Sequence, residues 1–418
     1  MSTEDEVIEK ARRAKEASIK LGVTPTPIKN AALKKMAERI QNCSNEILEE
    51  NKKDIEAAKK GGASAGFIDR LLLNEKRIRE MVEGLNQVAS LPDPIGEIVE
   101  GWRTRQGLEI RKIRVPLGVI GAIYEARPNV TVEITGLALK AGNAVVLRGG
   151  SEALNSNKIL VKLMREAIEG LIDPDAIQLI ENPSRELVKT LLRQDRYIDV
   201  IIPRGSAQFI RFVRENSLIP VIETGAGNCH IFVNWDADFE MANKIIVNAK
   251  VQRPAVCNAV RKVLIHSKIA EKYLPQLVNI LRGYNVVIKG CERSRRIVSN
   301  LLEATEEDWY EEYMDLTLAV KIVDSVEEAV NHINKYGSKH SDAIITSNLR
   351  DAELFTSLVD SSTVYVNAST RFTDGGQFGF GAEVGISTQK LHARGPMGLR
   401  EITTTKYVVY GSGQVREL

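Results

Sequence analysis

The spacing of hydrophobic positions changes character several times along this chain. Between residues 4 and 60, Ala, Leu, Ile and Met recur every three or four positions among Lys and Glu, which places apolar side chains on one face of a helix. The run Gly22–Pro27 breaks that spacing, so two helices are predicted here. No heptad persists, which argues against a coiled coil. Gly61–Gly66 reads as a short loop, and a further helical stretch runs to about Leu91, closed by Pro92-Asp93-Pro94.

The period then shortens to two. Residues 108–116 alternate apolar and charged positions, as an exposed antiparallel strand does, and residues 402–410 are again β-rich. These two half-exposed strands read either as an arm that pairs with a neighbouring subunit or as a plain sheet edge. Between them, short apolar runs alternate with helical patterns. Val119–Tyr124, Ala144–Leu147, Ala176–Ile180 and Val200–Ile202 predict buried parallel strands, with helices over 131–140, 155–169, 184–193 and 206–217. A second series follows at Ile231–Val233, Val263–Ile265, Leu318–Val323, Ala343–Thr346 and Val364–Val366. The pattern is that of a doubly wound α/β protein.

Composition narrows the function. Hydrophobic residues make up 43% of the 418 positions and charged residues 27%, ordinary for a soluble globular chain of two or three domains. The 57 basic and 55 acidic residues are well mixed, leaving a formal net charge of +2. That balance gives no electrostatic footprint for a nucleic acid or an anionic membrane. No apolar run approaches the roughly 18 residues of a membrane helix, and the acidic start Met1–Glu6 lacks the layout of a signal peptide. Four cysteines without a C-x-x-C pair are expected to be reduced thiols in a cytoplasmic protein. Five scattered histidines offer no ligand spacing, so no metal is expected.

The chemistry centres on Cys257. A small-residue loop carrying an acid, Ile222–Asn228 with Glu223, is followed by a cysteine between a proline and an asparagine in Val251–Ala259. That arrangement suits a thiol that attacks a carbonyl, because Cys is nucleophilic near neutral pH without a strong base. The alternative is a small buried core residue, as most single cysteines are. No G-x-G-x-x-G opens a helix after the early strands. Instead, one predicted strand runs into Arg148-Gly149-Gly150-Ser151 and another into Arg204-Gly205-Ser206. Each puts a cation and flexible backbone at the carboxyl end of a strand, where open α/β sheets collect phosphates, although Gly-Ser after a strand is also an ordinary turn. Asn129, after Pro128, reads either as a cap for the next helix or as an amide aimed at a developing oxyanion. Cys229, the other candidate thiol, neighbours His230, but successive strand residues face opposite ways, so Cys229 reads as structural.

These motifs resemble the aldehyde dehydrogenase superfamily. The resemblance is carried by Val115–Gly121, Tyr124–Thr131, Leu147–Gly150, Gln252–Asn258, His340–Ala343 and, most specifically, Val364–Gly379 continuing to Leu391–Pro396. It runs from the first helices to the last strand. It implies an aldehyde-dehydrogenase-like α/β fold with a Rossmann-like cofactor-binding domain (1–100 and 119–228, with a return at 376–399). A second α/β domain for catalysis would span 229–375, and a small β arm for oligomerisation would take 101–118 and 400–418. Within the superfamily, the chain is similar to the branch that reduces L-glutamyl 5-phosphate to L-glutamate 5-semialdehyde in proline synthesis. The resemblance then implies Cys257 as the nucleophile that forms a thioester, with Asn129 and the Cys257 N–H as oxyanion donors. It implies Arg148, Gly149 and Ser151 at the adenosine ribose, Gly205 and Ser206 at the pyrophosphate, and Glu312 at the nicotinamide ribose. With a cation at 148 and no acid at 151, NADPH is the expected cofactor. Arg127, Arg253, Arg371 and Arg394, all inside matching motifs, are the expected ligands of an anionic substrate. Glu223 matches an acid that activates water in hydrolytic relatives, a role that acyl-phosphate reduction does not require. A homo-oligomer is implied, and a glutamate 5-kinase would be the supplier of a labile substrate. The alternatives are a reductase for another acyl donor, such as an acyl-CoA, and an inactive cofactor-binding relative.

Three positions depart from the pattern. Val251 stands where a Thr is usual, Ser206 where a second Gly is usual, and Arg261 where an acid is usual. Arg261 is expected about one helical turn from Cys257, where it would lower the thiol pKa, attract the acyl phosphate or face solvent. The assignment of the thiols is tested by substitution. Cys257→Ala is expected to abolish turnover and Cys229→Ala to retain most of it in a steady-state assay; the reverse result would exchange their roles.

Overall fold

The computed structural model describes residues 3–416 and divides the chain into two compact units. One comprises residues 1–223, 379–385 and 397–418, the other 224–378 and 386–396. The expected single return over 376–399 is therefore split between the two units, and the β arm clusters with the first unit. The outermost residues of the predicted segments (1, 2, 417 and 418) lie outside the described residues.

The first unit opens with α1 (Thr3–Leu21), α2 (Thr26–Asn42) and α3 (Ser44–Lys60). Three helices thus occupy the stretch expected to hold two. The additional break falls at Cys43, whose φ of −104° and ψ of 20° leave the helical region without any Gly or Pro to announce it. Two more helices follow, α4 (Ala65–Leu71) and α5 (Glu75–Ser90). The arm comes next. Strands β1 (Ile98–Arg103) and β2 (Glu109–Pro116) pair antiparallel, and the C-terminal strand Thr403–Tyr410 pairs with the other edge of β2. β1 is fully exposed, so its residues lack the alternation that would mark a strand.

The main sheet of this unit is parallel. It contains β3 (Val119–Tyr124), β4 (Ala144–Gly149), β5 (Ile177–Leu179) and β6 (Val200–Arg204), in the order β5-β4-β3-β6. Helices α6 (Pro128–Lys140), α7 (Leu154–Ile168), α8 (Glu186–Leu191) and α9 (Ala207–Asn216) lie between or after these strands. Every residue of β3 is buried, as expected of a parallel strand covered on both faces.

The second unit holds a seven-stranded parallel sheet: β7 (Cys229–Val233), β8 (Val260–His266), β9 (Val287–Gly290), β10 (Leu302–Glu303), β11 (Thr317–Val323), β12 (Ser341–Ile345) and β13 (Thr363–Val366), ordered β10-β9-β11-β8-β7-β12-β13. Its helices are α10 (Phe239–Val251), α11 (Ser267–Gly283), α12 (Glu292–Ile297), α13 (Glu306–Tyr310), α14 (Val326–Tyr336) and α15 (Leu349–Leu358). The core of one face packs Ile231, Val263, Ile265 and Val320 against Ile246, Leu274 and Leu277. β9 and β10, at the end of the sheet, were not predicted; both are short, and Val287, Leu302 and Glu303 are exposed.

One buried contact fixes the start of α7 and with it the loop after β4. Ala153 precedes α7 and has no side chain able to cap it. Asp54 of α3 does so instead, accepting the N–H groups of Asn155 (3.2 Å) and Ser156 (2.8 Å) and the Ser156 hydroxyl (2.7 Å). Asp54→Ala is expected to destabilise the protein by about 2 kcal/mol, because it removes a cap and leaves buried donors unpaired. The midpoint of denaturant unfolding reads the effect, and Asp54→Asn should recover part of it.

Candidate active site

Each unit carries one group of the residues singled out in the sequence. In the first unit, β4 and β6 flank β3 on opposite sides, so the carboxyl ends of β3 and β6 border a topological switch point. Ligands of open α/β sheets bind at such points. The loop expected to hold the pyrophosphate leaves the sheet here, after β6, and the Arg148–Ser151 loop leaves the same end of the sheet one strand away, after β4. Gly205 and Ser206 follow β6, and Ser206 caps α9 by accepting the Phe209 N–H at 3.3 Å. The Ser206 N–H itself points to a carboxylate, Glu125 Oε2, at 3.2 Å. A side chain on Gly205 would strike that same carboxylate, at 2.8 Å from an added Cβ.

Arg148 is 8% exposed. Its Nη2 donates to the Pro183 and Ser184 carbonyls at 2.9 and 3.5 Å, while Nε has no partner among the described residues. Burial lowers the pKa of this guanidinium, and nearby Arg185 acts in the same direction. Gly149 leads into Gly150, where a Cβ would lie 2.2 Å from Glu152 Oε1. That oxygen accepts the Ala126 N–H at 2.8 Å and so ties the loop after β3 to the loop after β4. Ser151 is exposed, with its hydroxyl 3.5 Å from Glu152 Oε2. The acid of this loop is thus at 152, engaged with backbone. An orphaned guanidinium nitrogen, two glycines crowded by carboxylates and a helix N-terminus fit a dinucleotide phosphate. Glu125, Glu152 and Arg185 complete this cluster. Glu125 lay inside a quoted motif, but nothing in its spacing marked it as the acid facing Ser206.

Asn129 does not cap α6. It lies in the first turn, and its Nδ2 donates to Glu133 Oε1 at 2.8 Å. Arg127, just before α6, is exposed. Glu223 is half-buried, and its Oε1 lies 3.5 Å from Arg214 Nη1 on α9.

In the second unit, the loop that carries Cys257 joins α10 to β8, so Cys257 sits by the amino end of the sheet. Cys257 is half-buried. Its carbonyl passes so close to Gly227 that a Cβ there would stand 1.5 Å from the oxygen. Gly227 donates its N–H to Glu312 Oε1 at 2.7 Å. Asn228 is tied to Ser338, Trp309 and Tyr336, each at 2.8 Å. Beyond the nucleophile, the Asn258 amide donates to the Arg371 and Thr373 carbonyls at 3.3 and 2.9 Å, and its own carbonyl accepts the Thr370 hydroxyl at 2.7 Å. The Arg371 guanidinium bonds Asn258 Oδ1 and Gln252 Oε1. Burial lowers the Arg371 pKa and Arg253 adds to that, while Cys257 and Asp374 oppose it. Arg253 is exposed on the same turn. Cys257, Arg253 and Arg371 are therefore brought together. Arg394 is placed elsewhere, its Nη2 held by Asp360 Oδ1 at 3.0 Å in an ion cluster with Lys339 and Lys390.

Cys229 is fully buried, donates its thiol hydrogen to the Cys257 carbonyl at 3.2 Å, and has its pKa raised by burial. It braces the loop that carries Cys257. Arg261, expected one helical turn from Cys257 and open to solvent among other options, is instead the second residue of β8 and fully buried. Val260 begins the strand directly after the nucleophile turn, so no helix carries the two residues.

Residues 1–315 match the aldehyde dehydrogenase family. Among curated proteins, the chain is 58% identical over 413 residues to γ-glutamyl phosphate reductase of Carboxydothermus hydrogenoformans. It is 56% identical over 414 residues to the protein of that name from Dictyoglomus thermophilum. Each alignment covers 99% of this chain and 100% of the relative. Among solved structures, γ-glutamyl phosphate reductase of Thermotoga maritima superimposes with a TM-score of 0.97 at 52% identity, covering 99% of this chain and 100% of that one.

The approach of Gly227 to Cys257 supplies a test. Gly227→Ala must push one loop off the other, displacing the thiol. Activity is expected to fall on the order of 100-fold, as misplacement of about 1 Å at a reacting group does. Circular dichroism should show the secondary structure retained.

Proposed function

The chain belongs to the aldehyde dehydrogenase family, among its γ-glutamyl phosphate reductases, and from that premise we propose that it reduces L-glutamyl 5-phosphate to L-glutamate 5-semialdehyde with release of phosphate, a step of proline synthesis. The observation that carries the reading is a half-buried thiol on the turn that carries Arg253, with Arg371 joined to that turn through Asn258. Cys257 attacks the acyl phosphate carbon, the carbonyl π bond opens, and phosphate leaves with the bonding pair to give a thioester on the protein. The Cys257 N–H is the proposed oxyanion donor; Asn129 is a further candidate, whose amide would first have to release Glu133. Arg253 and Arg371 hold the anionic donor, and the leaving phosphate departs against positive charge. Arg127 and Arg394 are further candidate ligands of the substrate. Arg394 would first have to release Asp360.

A nicotinamide cofactor goes with the family, and when bound it supplies the hydride that reduces the thioester. We assign NADPH on the cations at 148 and 185, with the pyrophosphate at Gly205 and Ser206, the adenosine ribose near Gly149 and Ser151, and the nicotinamide ribose at Glu312. Glu152 is turned onto the Ala126 N–H rather than left as a free acceptor for the ribose hydroxyls. Glu223 needs no role as a base, because no water enters the reaction. The arm of β1, β2 and the C-terminal strand is the proposed contact between subunits, and a cytoplasmic location suits the reduced thiols. A kinase that makes the acyl phosphate is the expected upstream partner.

The reverse reaction tests the assignment. Purified protein given L-glutamate 5-semialdehyde, inorganic phosphate and NADP⁺ is expected to form NADPH, with NAD⁺ the poorer acceptor. Turnover should vanish without phosphate and not be restored by coenzyme A. Coenzyme A-dependent turnover, or none with either acceptor, would overturn the reading.

A further inference from the structure

Three cations are buried around the nucleophile loop: Lys250 at the end of α10, and Arg261 and Lys262 on β8. Lys262 is accounted for. Its ammonium donates to the Glu311 carbonyl at 2.6 Å and lies 4.4 Å from the centre of the Tyr313 ring. Lys250 Nζ has no partner among the described residues. Arg261 has an unusual set. Its Nη1 donates to the Ala259 carbonyl at 2.9 Å and its Nη2 to the Val256 carbonyl at 2.8 Å. These two carbonyls lie on either side of Cys257 in the chain. Nη2 also stands 3.8 Å from Glu312 Oε1, the oxygen that accepts the Gly227 N–H. One guanidinium therefore grips the nucleophile turn at both ends and reaches the acid that holds the opposing loop.

The charges facing this group come from every element around it. Lys250 lies on α10, Cys229 on β7, Lys262 next to it on β8, and Glu312 and Asp315 between α13 and β11. Arg371 faces Cys257 from the segment 370–372, and Arg253 and Asp374 in turn face Arg371. Burial, with Arg261 adding to it, lowers Lys250 to about 7, and burial lowers Lys262 to about 7 as well. Burial also lowers Arg261, but a guanidinium starts so high that it stays charged. Near neutral pH the lysines are partly discharged, and Arg261 and Arg371 are the fixed positive charges coupled to the thiol.

We propose that Arg261 is the positioning residue of the nucleophile: its guanidinium clasps the backbone on both sides of Cys257 and holds a permanent positive charge against the turn that carries the thiol. The proposal rests on the reading of Cys257 as nucleophile. It assigns a function to the residue that departs most sharply from the sequence pattern, and the two actions can be separated. Loss of the clasp alone misplaces the thiol. Loss of the charge also raises the pH at which the thiol ionises.

The test pairs Arg261→Gln, which removes the charge, with Arg261→Lys, which cannot span two carbonyls and whose ammonium, buried beside Lys250 and Lys262, keeps only part of the charge. Alkylation of the free enzyme by iodoacetamide is followed against pH, with Cys257 identified by mass spectrometry. Arg261→Gln is expected to move the alkylation midpoint upward by about one pH unit. Arg261→Lys should move the midpoint upward by less than Arg261→Gln does and still lose kcat roughly tenfold, with the KM for NADPH little changed. An unshifted midpoint in folded Arg261→Gln would overturn the electrostatic part, and full kcat in Arg261→Lys would overturn the clasp. If Arg261→Gln does not fold, Arg261→Lys decides alone, full kcat against reduced kcat. Alkylation needs no substrate, so a wrong substrate assignment appears as absent wild-type turnover with the midpoint shift intact.

Discussion

The placement of Cys257 depends on a contact between two stretches of backbone. The Cys257 carbonyl occupies the space that any side chain at position 227 would need, so two loops approach as closely as main chains can. That approach has consequences for every neighbour. The Gly227 N–H, directed away, is received by Glu312, and Glu312 faces Arg261. The Cys257 carbonyl, held in place, accepts the Cys229 thiol from β7. The nucleophile loop is thus fixed by backbone atoms, while its side chain is left half-exposed. A thiol can be pre-organised in this way without its own sulfur serving as the anchor.

The polar network around the loop is built from residues whose types give little hint of their use. Asn258 links the nucleophile turn to Thr370 and Thr373, and Thr373 in turn accepts the Ser341 hydroxyl at 2.7 Å at the start of β12. A buried amide that satisfied only part of its capacity would be costly. Asn258 uses both its oxygen and its nitrogen, which makes the turn and the segment 370–373 one rigid piece. Arg371 belongs to that piece, so the arginine proposed to meet the substrate is placed by the same hydrogen bonds that place the thiol.

Much of this architecture was legible in the pattern of residues, for physical reasons that differ by element. β3, β4, β7 and β12 are short apolar runs because a parallel sheet covered on both faces admits little else, and each was predicted within a few residues. β1 was invisible because an arm strand with no buried face needs no alternation. The break at Cys43 was invisible because no Gly or Pro marks it. Of the residues expected at the site, Cys257, Arg253 and Arg371 lie near one another, whereas Arg394 shared the motif's sequence but sits against Asp360. Burial of charge was the least readable property. The run Val260-Arg261-Lys262-Val263 looks like an exposed strand edge, and both cations are wholly buried. Only the surroundings reveal that backbone carbonyls take up their hydrogen atoms.

The first unit illustrates the same principle with the sign reversed. Its expected phosphate loops hold two carboxylates: Glu152 on the Ala126 N–H, and Glu125 on the Ser206 N–H at the start of α9. A helix N-terminus favours negative charge whatever its source. A dinucleotide phosphate that binds there must take the Ser206 N–H from Glu125. Its affinity is then set by the difference between two anions at one donor, not by the strength of the donor alone. Glu152 is in another position, because its partner lies on the loop after β3 and its carboxylate closes that loop onto Gly150. Displacing it would open the loop cluster; displacing Glu125 would free one backbone donor at the first turn of a helix. The side chain that can yield is therefore Glu125, and the one that must stay is Glu152.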